Sequence, residues 1–251
     1  MRKTYLIALI FRQLGHLQAI NLPRCSSEEF LLVMIRSYIR YWPVVGGIIF
    51  VALAITLGIF ADSIPALQRL MILFFTILTL HEFEEYVYPG GFPAANNIGL
   101  MGETKDYGKY PLNELSAFIV NVVLAYPLYI CGIIFYECLW LGIFIAYFTM
   151  LQFIIHCIVI NRKLHSWYSP GCATSLFVML PLGIYYLTYI AEHFTFPGFY
   201  WWVPILAFPF AAIIMILSPI LLCRSRETRY GFAEFEATDF AVRKGVAKLW
   251  R

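Results

Sequence analysis

The five residues His81-Glu82-Phe83-Glu84-Glu85 put one imidazole and three carboxylates at the end of a long apolar run. Successive residues of a helix turn by about 100°, so His81, Glu84 and Glu85 share one face and Glu82 is turned a quarter-circle away. One imidazole and two carboxylates brought together in this way can hold a divalent cation or share a proton. The order His-Glu-x-x-Glu is also that of the zinc-protease helix with its second His replaced by a carboxylate, and zinc takes both nitrogen and carboxylate oxygen as ligands. The plainer alternative is an acidic helix end with His81 satisfied by a backbone carbonyl. Against it, adjacent Glu84 and Glu85 at an apolar boundary repel one another unless a cation or proton is shared.

The surroundings of this cluster are set by composition. Of the 251 residues, 61% are hydrophobic and only 13% charged, and the mean hydropathy is +0.74; a soluble domain of this length could not hide so much apolar surface. The sequence therefore predicts an all-α integral membrane helical bundle. Six runs approach the length needed to cross a hydrocarbon core of about 30 Å: Pro43 to Phe60, Ala66 to Phe83, Leu115 to Tyr136, Cys138 to Ile160, Cys172 to Glu192 and Phe199 to Cys223. This divides the chain into N-terminal interfacial helices over 1–42, a six-helix membrane domain over 43–223 and a basic tail over 224–251. Tyr5 to Leu22, interrupted by Arg12, Gln13, His16 and Gln18, and Glu28 to Tyr41 read as helices lying in the interface. A signal peptide is the rival for the first residues, but its apolar core would stop at Arg12 with no small-residue pattern after it. The tail mixes basic and acidic residues with Phe232, Phe235, Phe240 and Trp250, as an amphipathic helix on an anionic leaflet would.

With six spans, both termini and two of the inter-span loops fall on one side, and that side holds all of the eighteen Lys and Arg residues except Arg69. The expected location is a plasma or inner membrane with both termini cytoplasmic. Arg69, at the start of the second span, can snorkel to the other surface. Nucleic acid is excluded as a partner, because the basic residues lie where topology requires them.

The same topology gathers polar residues. The second span ends on the cytoplasmic side at His81 to Glu85, the third begins there with Asn113, Glu114 and Asn121, the fourth returns at His156, and the fifth starts after Tyr168-Ser169-Pro170-Gly171. Asn121 lies seven residues beyond Glu114, so both can look into one cavity; an interhelical packing bond is the alternative for Asn121. His156, with Gln152 one turn earlier, offers a second imidazole, or is a satisfied core histidine. His165, beside Arg162 and Lys163, is either a surface residue or a ligand. Tyr88 to Pro93 reads as a rigid turn or a lid, and Gly171 as a point of close backbone approach.

Together, His81-Glu82-Phe83-Glu84-Glu85 followed by Tyr86 and the Pro-Gly-Gly-Phe-Pro turn, then Asn121, His156 and Tyr168-Ser169-Pro170-Gly171, resemble the HXXEE family of membrane proteins over roughly residues 70 to 190. The motif letters fall on His81, Glu84 and Glu85. Glu82 occupies a free position, which argues against a general-base role for it. The resemblance implies a membrane-embedded enzyme and nothing finer.

Phosphate loops, nucleophile elbows and Cys-x-x-Cys pairs are absent from the sequence. The six cysteines read as small apolar residues, with Cys157 and Cys172 as distant ligand candidates. Three functions fit. In the first, a hydrolase or lipid-modifying enzyme holds a divalent metal, such as zinc, on His81, Glu85 and His156; Glu84 accepts a proton from water, and Asn121 and Tyr168 orient a lipophilic substrate or its oxyanion. The second is metal-free His and Glu acid-base chemistry on a lipophilic substrate. The third is a carrier or binding protein in which the buried acids mark a cation or proton path.

Overall fold

In a computed structural model, residues 27–232 are described, and within them every regular element is a helix. The helices are α1 (Ser27–Phe60), α2 (Ala66–Tyr86), the short α3 (Phe92–Ala95), α4 (Glu114–Ile134), α5 (Leu139–Lys163), α6 (Cys172–His193) and α7 (Phe199–Cys223). All but α3 are long and apolar enough to cross a membrane. Residues 27–38 form one unit and residues 39–232 another. The first is a stretch of exposed helix.

The expected break between an interfacial helix ending at Tyr41 and a span beginning at Pro43 does not occur. Residues Ser27–Phe60 make one uninterrupted helix with Pro43 inside it. Proline forfeits one backbone hydrogen bond, a loss that membrane helices tolerate where neighbours pack against the freed turn. Here Trp42 is buried with its ring edge-on to Tyr86 at 5.1 Å. The helix expected over Tyr5 to Leu22 lies outside the described residues. So does the tail beyond Phe232, and its first part, Arg224 to Phe232, is not helical.

The core of the second unit forms around α2, the most enclosed of the six long helices. Met71, Phe74 and Leu78 of α2 pack with Tyr129 of α4, Ile143, Ala146 and Phe148 of α5, and Met179, Tyr186 and Ile190 of α6. Arg69 reaches outward, as its position predicts, and donates to the Ala61 carbonyl at 2.8 Å. The α4 start is fixed by a capping box: Asn113 Oδ1 accepts from Ser116 N–H, and Ser116 Oγ accepts from Asn113 N–H. Asn113 Nδ2 donates to the Cys223 carbonyl at 2.9 Å, which brings the end of α7 to the start of α4. Asn113 is thus a cap and a tie, not a site residue.

Four long helices each contain one π-helical stretch: Ile119–Ala125 in α4, Ile154–Ile160 in α5, Ser175–Met179 in α6 and Ile213–Leu217 in α7. The short α3 also continues into one, Asn96–Leu100. The wide turn in α4 breaks the seven-residue repeat between Glu114 and Asn121. Contrary to the expectation from spacing, those two side chains line different cavities.

After α7 the chain crosses the loop between α3 and α4. Tyr230 O accepts from Glu114 N–H at 2.8 Å, and Phe232 N–H donates to the Gly108 carbonyl at 2.9 Å. Arg226 forks onto Glu103 Oε2 at 2.6 Å and Asp106 Oδ2 at 2.7 Å, over the ring of Tyr110. Partial burial pushes the Glu103 carboxyl up, but the amide N–H groups of Lys105 and Asp106 and the Arg226 guanidinium outweigh it and hold the pKa at about 2. A depressed carboxylate stabilises the fold fully above its unfolded pKa of about 4.3 and loses that contribution as the pH falls through the folded value. The Glu103 half of this tie therefore keeps its charge through mild acid. Arg226→Ala should speed limited proteolysis within residues 224–232 several-fold at pH 7. An unchanged cleavage rate would show that the backbone bonds alone hold the strap.

Candidate metal centre

The end of α2 faces the end of α5 and the start of α6, and the face shared by His81, Glu84 and Glu85 meets both. His81, Glu85 and His156 are all buried, and the His81 and His156 rings lie edge to face with centroids 4.9 Å apart. Glu85 Oε1 stands 3.1 Å from His156 Nε2 and 3.6 Å from His81 Nε2. The three ligand atoms lie within 4.8 Å of one another. The structure thus brings together the two imidazoles and one carboxylate that spacing and topology single out.

The other ring nitrogens fix the tautomers. The Pro170 carbonyl can only accept, so His156 Nδ1, 2.7 Å away, carries the proton. His81 Nδ1 is 2.8 Å from Thr174 Oγ1. The Thr174 hydroxyl has one proton and gives it to Glu84 Oε2 at 2.5 Å, so it accepts from His81 Nδ1–H. With each Nδ1 committed in this way, both Nε2 atoms are turned toward Glu85 Oε1. His81 Nε2 is buried and has no hydrogen-bond partner in the protein. Two imidazole nitrogens and one carboxylate oxygen turned toward one another can hold a metal ion, or a proton shared between His156 Nε2 and Glu85 Oε1. Ligand atoms at about 2.0 to 2.1 Å from a tetrahedral zinc are about 3.3 Å apart. The 3.1 and 3.6 Å separations from Glu85 Oε1 bracket that edge. The 4.8 Å limit on the whole set is wider than two ligands of one ion can stand apart, about 4.2 Å, so the imidazoles would close in on binding.

Glu84 leaves this group. Its Oε1 accepts from the Tyr168 hydroxyl at 2.8 Å and Ala173 N–H at 3.0 Å; its Oε2 accepts from Thr174 N–H at 2.8 Å and the Thr174 hydroxyl. It is an anion seated on the first-turn amides of α6, where the helix dipole favours it. The repulsion between Glu84 and Glu85 is relieved by these four donors rather than by sharing one ion. With its lone pairs taken, Glu84 is placed to orient His81 through Thr174, not to receive a proton from water. Tyr168 is likewise committed to Glu84. Burial first, and the adjacent Glu84 carboxylate second, raise its phenol above the ordinary range and keep it a donor. Neither residue lines the cavity beside the cluster.

The loop between α5 and α6 is built around the two histidines. Gly171 has φ +93°, a left-handed conformation, and a Cβ there would sit 2.6 Å from His156 Nδ1 and 2.8 Å from His81 Cε1. Ser169 Oγ donates to the His156 carbonyl at 3.0 Å, and Ser175 Oγ to the Gly171 carbonyl at 2.6 Å. The close approach that the sequence suggests at Gly171 is an approach to the imidazoles themselves.

A cavity of about 110 Å³ opens on the cluster. His81, Glu85 and His156 form one polar corner, Asn96, Asn121 and Gln152 contribute amides, and the remaining wall is apolar apart from the Tyr86 hydroxyl. Asn121 Nδ2 donates to the Ala117 carbonyl at 3.0 Å, so the side chain is held on the wall by its own helix. The Phe92 ring closes over His156 with centroids 5.1 Å apart, carried by a turn in which Gly90 and Gly91 have φ +70° and +95°. His165 is exposed in the α5–α6 loop and takes no part. Glu82 is fully buried on the other face of α2, its Oε2 bound by the Tyr126 hydroxyl at 2.6 Å. Thr174, which links Glu84 to His81, is a site residue that spacing alone does not reveal; its position in the first turn of the helix after Gly171 is the only signal. No curated protein and no solved structure matches the chain. Residues 71–186 match the model of the family described as "Protein of unknown function with HXXEE motif".

Proposed function

We propose that the chain is a membrane-embedded metal-dependent enzyme acting on an uncharged lipophilic substrate, with His81 Nε2, His156 Nε2 and Glu85 Oε1 as the ligands of one divalent ion. The observation that carries this reading is the mutual approach of three buried ligand atoms, one of which, His81 Nε2, has no hydrogen-bond partner among the described residues. A zinc-like ion in this place supplies Lewis acidity and activates water near neutral pH. The protein's own part is to hold both imidazoles in one tautomer, through Pro170 and through Thr174 and Glu84, and to exclude bulk water with Phe92. Among the described residues, no lysine or arginine lines the cavity. A phosphate or carboxylate headgroup would find no counter-charge there, whereas an ester, amide or alcohol would find the amides of Asn96, Asn121 and Gln152. The distribution of Lys and Arg supports a cytoplasmic position for this end of the bundle and for both termini.

The test is metal analysis of the full-length, detergent-purified protein after chelation and reloading with zinc. Wild type should retain about one equivalent, and His81→Ala and His156→Ala should retain almost none, as loss of one of three ligands predicts. Equal zinc in wild type and both variants would refute the ligand set. The 3.1 Å separation of His156 Nε2 and Glu85 Oε1 is also a direct hydrogen-bond distance, which favours a second reading, a proton shared by the pair in metal-free acid-base chemistry. A wild type that never retains metal, but loses a lipid-directed activity in Glu85→Gln, selects it.

A further inference from the structure

Two nucleophilic side chains beside the cluster are used by neither reading. Cys157 directly follows His156 in α5, and Cys172 directly follows Gly171 at the start of α6. Their sulfurs are 2.8 Å apart, Cys157 Sγ also contacts the Cys172 carbonyl at 3.3 Å, and Asn161 Nδ2 lies 3.6 Å from Cys172 Sγ. The other thiols of the described residues, Cys131, Cys138 and Cys223, belong to different parts of the bundle. A disulfide bond is about 2.05 Å long, so the pair needs less than about 1 Å of closure along the line between the sulfurs.

We propose that Cys157 and Cys172 form a reversible disulfide that bolts the end of α5 to the loop holding both imidazoles. The oxidant is a small-molecule disulfide. Cys157 is half-buried and Cys172 buried, so the incoming molecule meets Cys157 first. The Cys157 thiolate attacks one sulfur and releases one thiolate of the reagent, leaving a mixed disulfide. The Cys172 thiolate then attacks the Cys157 sulfur, forms the internal S–S bond and releases the second thiolate. The two protons given up by the cysteines are taken by the two departing thiolates, and the two electrons reduce the reagent's S–S bond. In the oxidised chain, the backbone after His156 and the backbone after Gly171 can no longer separate, so His156 and the loop that carries Thr174 are held together whether or not an ion is present. This inference is independent of the metal, because its readout is the state of two sulfurs.

The experiment uses the full-length chain with Cys25, Cys131, Cys138 and Cys223 replaced by serine, treated with dipyridyl disulfide in detergent. The expected result is release of about two equivalents of thiopyridone, a mass loss of about 2 Da with no retained adduct, and full reversal by dithiothreitol. Adding Cys172→Ser should leave about one retained adduct, on Cys157, and no internal bond. As a check on the serine background, peptide mapping of the oxidised wild-type chain should show the 157–172 crosslink. Two retained adducts in the folded protein, no reaction before denaturation, or a wild-type map without the 157–172 link would overturn the proposal.

Discussion

Gly171→Ala should displace both imidazoles at once and cost about 3 kcal/mol or more of stability. The new methyl group would lie 2.6 Å from two atoms of the His156 ring and 2.8 Å from His81 Cε1, and the alanine would have to hold φ +93°. Neither ring can retreat freely, since one is tied to Pro170 and the other to Thr174. Gly102→Ala separates the two costs, because Gly102 has φ +69° but open space where its Cβ would be. That variant should show only the backbone penalty, about 1 kcal/mol. Melting curves and zinc retention measured on both variants check the expectation: the Gly171 substitution lowers both readouts strongly, and the Gly102 substitution lowers the first slightly and leaves the second alone. Equal behaviour of the two would mean that the loop can move away from the histidines.

Glu84→Ala should be about as damaging, by a different route. It removes the acceptor of four donors, two of them amides in the first turn of α6. Buried N–H groups left without a partner cost about 1–3 kcal/mol each, so a total loss of about 3–5 kcal/mol is expected even after partial relaxation. Glu84→Gln rescues only in part, because its NH2 group must face one backbone N–H, which cannot accept, beside one hydroxyl, which can. The two variants should also weaken zinc retention, since Thr174 would be free to turn its proton toward His81 and change the imidazole's tautomer. This reverses what Glu84 as a proton acceptor for water would give, where glutamine keeps the ion and loses only turnover. Zinc retained at wild-type stoichiometry by Glu84→Gln would restore the general-base role.

The helical class, the six apolar spans and the gathering of His81, Glu85 and His156 were legible in the sequence, because length, hydropathy and a 100° repeat act through local geometry that α2 keeps without interruption. What the spacing could not show depends on contacts between segments distant in the chain. Glu84 and Glu85 share a face, yet diverge to different partners because the start of α6 offers amides to one and the His156 ring stands beside the other. Thr174 and the Cys157–Cys172 pair depend on a loop whose path is set by a single left-handed glycine. Asn113 and Glu114 stand where topology puts them, but one became a helix cap, and a wide turn rotated the other away from Asn121. Pro43 was read as a boundary because its local cost is visible in sequence, whereas the packing of Trp42 that offsets it is not.

The four wide turns have a joint effect on the girth of the bundle. Those in α4 and α6 come shortly after the starts of their helices, and those in α5 and α7 shortly before the ends, so all four fall at one level, beside the His81 and His156 pair. A π-helical turn amounts to one residue inserted into an α-helix, and it swells the helix locally. Asn121, His156 and Ile216 sit within these swellings and line the cavity. The hollow at this level is therefore written into the chain as four single-residue excesses, one per helix. Removing one such residue would return that helix to the α form and narrow the hollow locally.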